Sequence, residues 1–93
     1  MRIDRLEWDE DNLEHIARHD VEDYEVEEVI WGDSVFRRVR RTERYQAFGQ
    51  TEAGRYLMVV IDRLYADTFY VVTVRDLSRA ERRRFLRRKK SRK

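Results

Sequence analysis

The sequence predicts one α+β domain that spans residues 1–93. Two segments with helical spacing of apolar residues come first, several strand-like segments follow, and a last helical segment closes the chain. Helices that are segregated from strands along the chain are typical of the α+β class. A chain of 93 residues suits a single core, because a second core would leave too little apolar surface for either.

The first predicted helix begins after Asp9, a residue type that caps helix N-termini. Leu13 and Ile16 follow at helical spacing, and the helix is expected to end near His19. Asp20 is then the predicted cap of a second helix, which ends at Gly32. The buried stripe of this second helix is expected to comprise Val21, Tyr24, Val26, Val29 and Ile30.

Four extended segments are predicted between Gly32 and the last helix: Val35-Phe36, Tyr45–Gln50, Arg55–Arg63 and Thr68–Arg75. The loop at 51–54 has a glycine where a hairpin needs positive φ. Connections this short force neighbouring strands to run antiparallel, so we expect a three- to four-stranded antiparallel meander. The two long strands are apolar on both faces, which predicts a sheet covered on both sides or lying in a dimer or complex.

A last short helix is predicted from the capping box formed by Ser78 and Glu81. Phe85 and Leu86 are its only strong apolar anchors, so the helix should be loosely held. Residues from about 89 to 93 are expected to form a disordered basic tail.

The two halves of the chain carry opposite charge. Residues 1–34 contain three basic and thirteen acidic residues, whereas residues 35–93 contain eighteen basic and six acidic residues. The segment 79–93 alone holds ten basic residues, opposed only by Glu81. Such a block indicates either a surface that engages a polyanion or a solubilising tail.

Composition excludes several classes of protein. The chain has no cysteine, which rules out disulfides and thiolate metal sites and fits a reducing cytoplasm. Its longest apolar run, Tyr56–Ile61, is far shorter than a membrane span, and the N-terminus lacks the apolar stretch of a secretion signal. Because no glycine-rich phosphate loop, nucleophile arrangement or zinc spacing is visible either, no metal and no cofactor are expected.

Short motifs occur in a fixed order between Leu6 and Phe85: Trp8-Asp9, Asn12, Arg18-His19, Val21, Glu43-Arg44, Gly49-Gln50-Thr51, Gly54-Arg55, Arg75, Ser78 and Glu81-Arg82-Arg83. This ordered set resembles the BrnT family, the toxin half of bacterial toxin–antitoxin pairs. The resemblance implies a RelE/ParE-like fold and a ribonuclease activity that halts translation. It also implies inhibition by a small antitoxin, with which the toxin binds its own promoter.

RNA cleavage without a metal needs a base, an acid and positive charge at the phosphate. Arg75 is the preferred phosphate ligand, because it lies at a strand end just before a helix N-terminus; its structural alternative is an ion pair with Asp76, Glu81 or the second helix. Arg82 follows on the same helix. Glu81 is a candidate base, although the capping box by itself explains why a glutamate occupies this position.

His19 is the second candidate for proton transfer, since histidine titrates nearest neutrality. His15 lies four residues earlier on the same helical face, but no third metal ligand stands nearby. Further arginines are candidate RNA contacts: Arg55, Arg63, Arg83 and Arg87. The hypothesis requires the arginines of the two long strands and the last helix to converge on one phosphate-sized pocket.

Two other functions fit the same residues. One is a non-catalytic module that binds nucleic acid by electrostatics alone. The other is a scaffold whose basic helix binds an acidic antitoxin-like chain, or the acidic helices of another copy, in a homodimer or hetero-oligomer.

Overall fold

The computed structural model describes residues 1–91. In chain order its elements are β1 Arg5–Glu7, α1 Glu10–Ala17, α2 Asp23–Ile30, β2 Val35–Arg38, β3 Arg44–Gln50, β4 Tyr56–Tyr65, β5 Thr68–Asp76 and α3 Arg79–Ser91. The predicted α+β class is confirmed. None of the helices within this range is long and apolar enough to cross a membrane.

The strands form one five-stranded sheet in the order β1-β5-β4-β3-β2. Strands β2 to β5 are an antiparallel meander, and Gly54 in its middle hairpin has the predicted positive φ, 103°. Strand β1 pairs in parallel with β5, with Leu6 opposite Phe69. The expected purely antiparallel sheet of three to four strands is therefore wrong: the sheet is mixed and has five strands. Strand β1 has only three residues, too few to show an alternating pattern.

Helices α1 and α2 cover one face of the sheet and form the main core with it. The buried members of this core come from both helices, their junction and four strands: Leu6, Ile16, Val21, Val26, Val29, Ile30, Ala47, Leu57, Val59, Ile61, Phe69, Val71 and Val74. The predicted stripe of α2 is thus buried except for Tyr24, which is 57% exposed. Tyr24 lies two residues from Val26, and residues so spaced do not share a helical face.

Trp31, one of the two tryptophans of the chain, is 50% exposed. It follows the last residue of α2, and its indole Nε1 donates a hydrogen bond to the Ile3 carbonyl at 2.8 Å. The ring therefore ties the N-terminal segment to α2 instead of filling the core.

Helix α3 lies against the other face of the sheet. Its anchor Phe85 is 4% exposed and meets Tyr56 edge-to-face, with ring centroids 6.2 Å apart. The helix is 13 residues long, longer than α1 or α2, and Lys89 lies 5.9 Å from the Phe85 ring centroid. The expected short helix with a tail from about residue 89 is wrong for residues 89–91, which are helical; residues 92 and 93 lie outside the described residues.

The junction between α1 and α2 differs from the prediction at one residue. Asp9 caps α1 as expected, accepting a hydrogen bond from Asn12 N at 2.9 Å, but the N-cap of α2 is Glu22 and not Asp20. Asp20 has φ 57°, the left-handed conformation that closes many helices. Its N–H donates to Ala17 O at 3.0 Å, and Val21 N–H donates to Ile16 O at 3.2 Å.

Replacing Asp20 should separate backbone strain from charge. Both Asp20→Gly and Asp20→Ala remove the carboxylate, but only glycine adopts positive φ without steric strain. We expect the glycine variant to be more stable than the alanine variant by about 1 kcal/mol. Urea denaturation followed by circular dichroism measures the difference, and equal stabilities would contradict a left-handed backbone at this position.

Candidate functional site

The candidate residues meet where β4 begins and β5 ends, a region called the β5 terminus below. Arg75 and Asp76 are the last two residues of β5, and Arg75 is paired in register with Met58 of β4. Successive strand residues point to opposite faces. Arg75 therefore points to the α3 side of the sheet and Asp76 to the side of α1 and α2.

On the α3 side, Arg75 forms a bidentate ion pair with Glu81 in the first turn of α3. Its two terminal nitrogens donate to the carboxylate at 2.7 and 2.8 Å. Glu81 also completes the predicted capping box, since Ser78 N donates to Glu81 Oε1 at 2.9 Å and Glu81 N donates to Ser78 Oγ at 3.2 Å. The ion pair with Glu81, which the sequence offered as an alternative to phosphate binding by Arg75, is thus present.

These contacts determine the protonation of Glu81. Hydrogen bonds from Arg75 and from the Ser78 backbone hold the pKa of Glu81 at about 2, well below its ordinary value of 4.5. Both stabilise the charged form, whereas burial opposes them. Glu81 is therefore a carboxylate at neutral pH, and a group of so low a pKa is a weak proton acceptor.

Arg82 has a different environment from Arg75. Its guanidinium lies over the Tyr56 ring, 4.3 Å from the ring centroid. No carboxylate among the described side chains lies within ion-pair distance of it. Arg82 therefore presents a cation that is held by a ring face and not by an acidic partner.

On the other side of β5, Asp76 pairs with Arg55. The Arg55 guanidinium donates to the carboxylate at 2.9 and 3.2 Å, and to the carbonyls of His19, at 2.9 Å, and Asp20. Glu25 approaches it at 3.8 Å. The hydrogen bond from Arg55 lowers the pKa of Asp76, and the nearby His19 lowers it further.

The two sides are connected through the backbone of Asp76. While its carboxylate binds Arg55, its carbonyl accepts a hydrogen bond from Arg75 Nη1 at 3.1 Å. The four predicted catalytic residues thus lie around one strand end. They divide between its two faces, with Arg75, Glu81 and Arg82 on one side and His19 on the other.

His19 is exposed and follows the last turn of α1. Its ring centroid lies 5.5 Å from that of His15, which is hydrogen-bonded to Thr73 through Nε2 at 2.8 Å. No group of three potential metal ligands occurs within the described part of the chain.

Arg63 lies at the opposite end of the sheet. It is eight residues from Arg55 along β4, a separation of roughly 25 Å in a strand. Arg63 donates to Glu43 Oε2 at 2.7 Å and to the Ala66 carbonyl, and it covers the Phe69 ring at 4.8 Å. The expected convergence of both strands' arginines on one pocket therefore does not include Arg63.

Arg83 and Arg87 are exposed on α3, four residues apart on one helical face. No ion pair involves either of them among the described side chains. Together they form a positive surface that begins two residues after Glu81.

A groove of about 290 Å³ separates α3 from β2 and β3. Its lining combines apolar side chains with arginines and ends at Glu81: Val35, Phe36, Arg37, Phe48, Glu81, Arg84, Phe85 and Arg88. Sequence reasoning missed Arg37 and Arg84 as site residues, although their basic segments were visible. It also missed Tyr56 as the ring beneath Arg82, which no local pattern signals.

Comparison with known proteins supports the fold. No protein-family model and no curated protein matches the sequence. Among solved structures, the chain is similar to the crystal structure of the ribonuclease toxin BrnT from Brucella abortus, with a TM-score of 0.64 and 18% sequence identity. The match covers 81% of this chain and 97% of that one. The BrnT resemblance is thereby confirmed at the level of the fold.

The Arg75–Glu81 pair should make stability depend on pH. Because the pKa of Glu81 is about 2 in the folded protein, its contribution is complete above the ordinary value near 4.5 and is lost as pH falls from there towards 2. We expect Glu81→Gln to destabilise the protein by about 1–2 kcal/mol at pH 7, after allowance for the exposure of Arg75. The deficit should shrink steadily below pH 4.5 in urea denaturation curves.

Glu14→Gln is the matched control, because Glu14 pairs with Arg18 while both side chains are about two-thirds exposed, 69% and 67%. It should cost no more than about 0.5 kcal/mol. A Glu81→Gln deficit that stays constant from pH 7 to pH 3 would show that Glu81 acts through something other than its charge.

Proposed function

We propose that this protein is the ribonuclease toxin of a toxin–antitoxin pair. It cleaves RNA in the cytoplasm without a metal ion, arrests translation, and is neutralised by a small cognate antitoxin. The observation that carries the proposal is the fold shared with the Brucella ribonuclease toxin over 97% of that chain. The excess of basic residues in the second half of the chain favours both RNA and an acidic partner surface.

In this proposal Arg82 is the first contact for the phosphate. Its planar face lies on Tyr56, which leaves the N–H edges of the guanidinium free to donate to phosphate oxygens. Arg83 and Arg87 continue the positive surface along α3 and bind neighbouring phosphates. Arg75 reaches a phosphate only when it releases Glu81.

His19 is the proposed proton-transfer group. Imidazole accepts and releases protons near neutral pH. His19 is exposed, and Arg55 links its carbonyl to the Asp76 carboxylate at the β5 terminus. Glu81, the other candidate base, is better suited to holding Arg75, because its pKa of about 2 makes it a weak acceptor.

Incubating the purified, folded protein with single-stranded RNA in EDTA tests this proposal. We expect cleavage, with His19→Ala lowering the rate about a hundredfold through loss of proton transfer. Arg82→Ala should lower it by a similar factor through loss of charge stabilisation. Product lengths and initial rates are read from denaturing gels, with circular dichroism to verify folding.

Arg2→Ala is the control variant, because Arg2 pairs with nearby Asp4 and its side chain is 77% exposed. It should cleave RNA at the unaltered rate. Intact RNA at stoichiometric amounts of folded protein would argue strongly against the proposal.

A non-catalytic nucleic-acid-binding module is the second candidate. Three arginines in or directly before the two long strands are each paired with a carboxylate of their own chain: Arg55 with Asp76, Arg63 with Glu43, and Arg75 with Glu81. These pairs, with the low pKa of Glu81, favour a surface that binds RNA without cleaving it.

Under this second candidate RNA stays intact while its affinity falls steeply with salt, because bound phosphates release counterions. Arg83→Ala combined with Arg87→Ala should reduce the slope of log affinity against log salt by roughly 1.4–1.8. Fluorescence anisotropy of a labelled RNA measures this slope. A double variant with an unaltered slope would exclude these two arginines as phosphate contacts.

A further inference from the structure

Arg55 joins three parts of the chain that are distant in sequence. Its guanidinium contacts the Asp76 carboxylate at the end of β5, the carbonyls of His19 and Asp20 after α1, and the Glu25 carboxylate of α2. Its side chain is only 28% exposed. Nearly every donor of the group is therefore directed into the protein, which leaves little of it for a phosphate.

The carbonyls that Arg55 binds belong to the turn between α1 and α2. The turn includes Asp20, whose φ is 57°. The last carbonyls of α1 itself are already bonded, because Asp20 N–H donates to Ala17 O and Val21 N–H to Ile16 O. Arg55 binds the next two carbonyls, those of His19 and Asp20, and so fixes the segment that carries His19.

Asp76 is bound by the same guanidinium. Arg55 donates to the Asp76 carboxylate at 2.9 and 3.2 Å and to the His19 carbonyl at 2.9 Å. The end of β5 and the segment that carries His19 are therefore held together by one side chain. The direction of the Asp76 pKa agrees with this arrangement, since the hydrogen bond from Arg55 lowers it and His19 contributes in the same direction.

We propose that Arg55 is a positioning residue that holds His19 against the β5 terminus, and not an RNA-binding residue. Arg55 acts through His19. Its guanidinium donates hydrogen bonds to the Asp76 carboxylate and to the two carbonyls after α1 at the same time. The catalytic consequence rests on the proposed ribonuclease function, whereas the structural consequence for His19 does not.

Two substitutions separate the multiple hydrogen bonds of the Arg55 guanidinium from its positive charge. Arg55→Gln removes the cation, and Arg55→Lys keeps a cation beside Asp76 but cannot span the carboxylate and two carbonyls at once. The matched control is Arg44→Gln, which breaks another bidentate arginine–aspartate pair between strands, with Asp62 at 2.7 and 2.8 Å. Arg44 lies near the opposite end of the sheet, as its partner is one residue from Arg63.

Nuclear magnetic resonance of the histidine rings gives the first readout, and it requires no activity. We expect the His19 ring signals to move in both Arg55 variants and to remain in place in Arg44→Gln, even where thermal melting shows similar destabilisation. Unmoved His19 signals in a folded Arg55 variant would overturn the proposal. So would wild-type signals in Arg55→Lys, because charge alone would then suffice.

RNA cleavage gives the second readout. A misplaced His19 should lower kcat between about tenfold and a hundredfold while leaving KM unchanged, with Arg44→Gln cleaving normally. A raised KM at normal kcat would identify Arg55 as a direct RNA contact and overturn the proposal. If the wild-type protein cleaves no RNA, the ribonuclease function fails, and the ring signals still decide the role of Arg55.

Discussion

The last two residues of β5 attach both helical layers to the sheet. Consecutive strand residues point to opposite faces, so Asp76 meets Arg55 beside the α1–α2 junction while Arg75 meets Glu81 in α3. Both pairs are bidentate, a geometry that restricts direction as well as distance. Everything at the β5 terminus therefore depends on the register of one strand, because a shift by one residue would exchange the two faces.

That register is fixed by the core and not by the charges. Phe69, Val71 and Val74 of β5 are completely buried in the main core, and a shifted strand would expose them to solvent. The ion pairs at its end are partly exposed and contribute less to stability than the buried side chains do. Apolar packing thus places the strand, and the charged residues then determine what its end can bind.

Sequence reasoning succeeded where a signal depends on a few neighbouring residues. The helix cap Asp9, the capping box at Ser78 and the turn glycine Gly54 are of this kind. It failed where partners are distant in the chain, as for β1, whose Leu6 lies opposite Phe69. The candidate site shows the same division. Glu81, six residues from Arg75, was one of three partners that the sequence offered for this arginine. The contact of Arg55 with the turn after α1 spans more than thirty residues and was not foreseen.

The environments of Arg75 and Arg82 give them different capacities for phosphate. Arg75 can donate both terminal nitrogens to a phosphate only by releasing Glu81. The Glu81 pKa of about 2 shows how strongly this pair favours the charged carboxylate. Arg82 has no such pair to break, because its contact with Tyr56 uses the face of the guanidinium and leaves the donor edges available. An incoming phosphate should therefore bind Arg82 directly, while Arg75 remains in its neutral pair with Glu81.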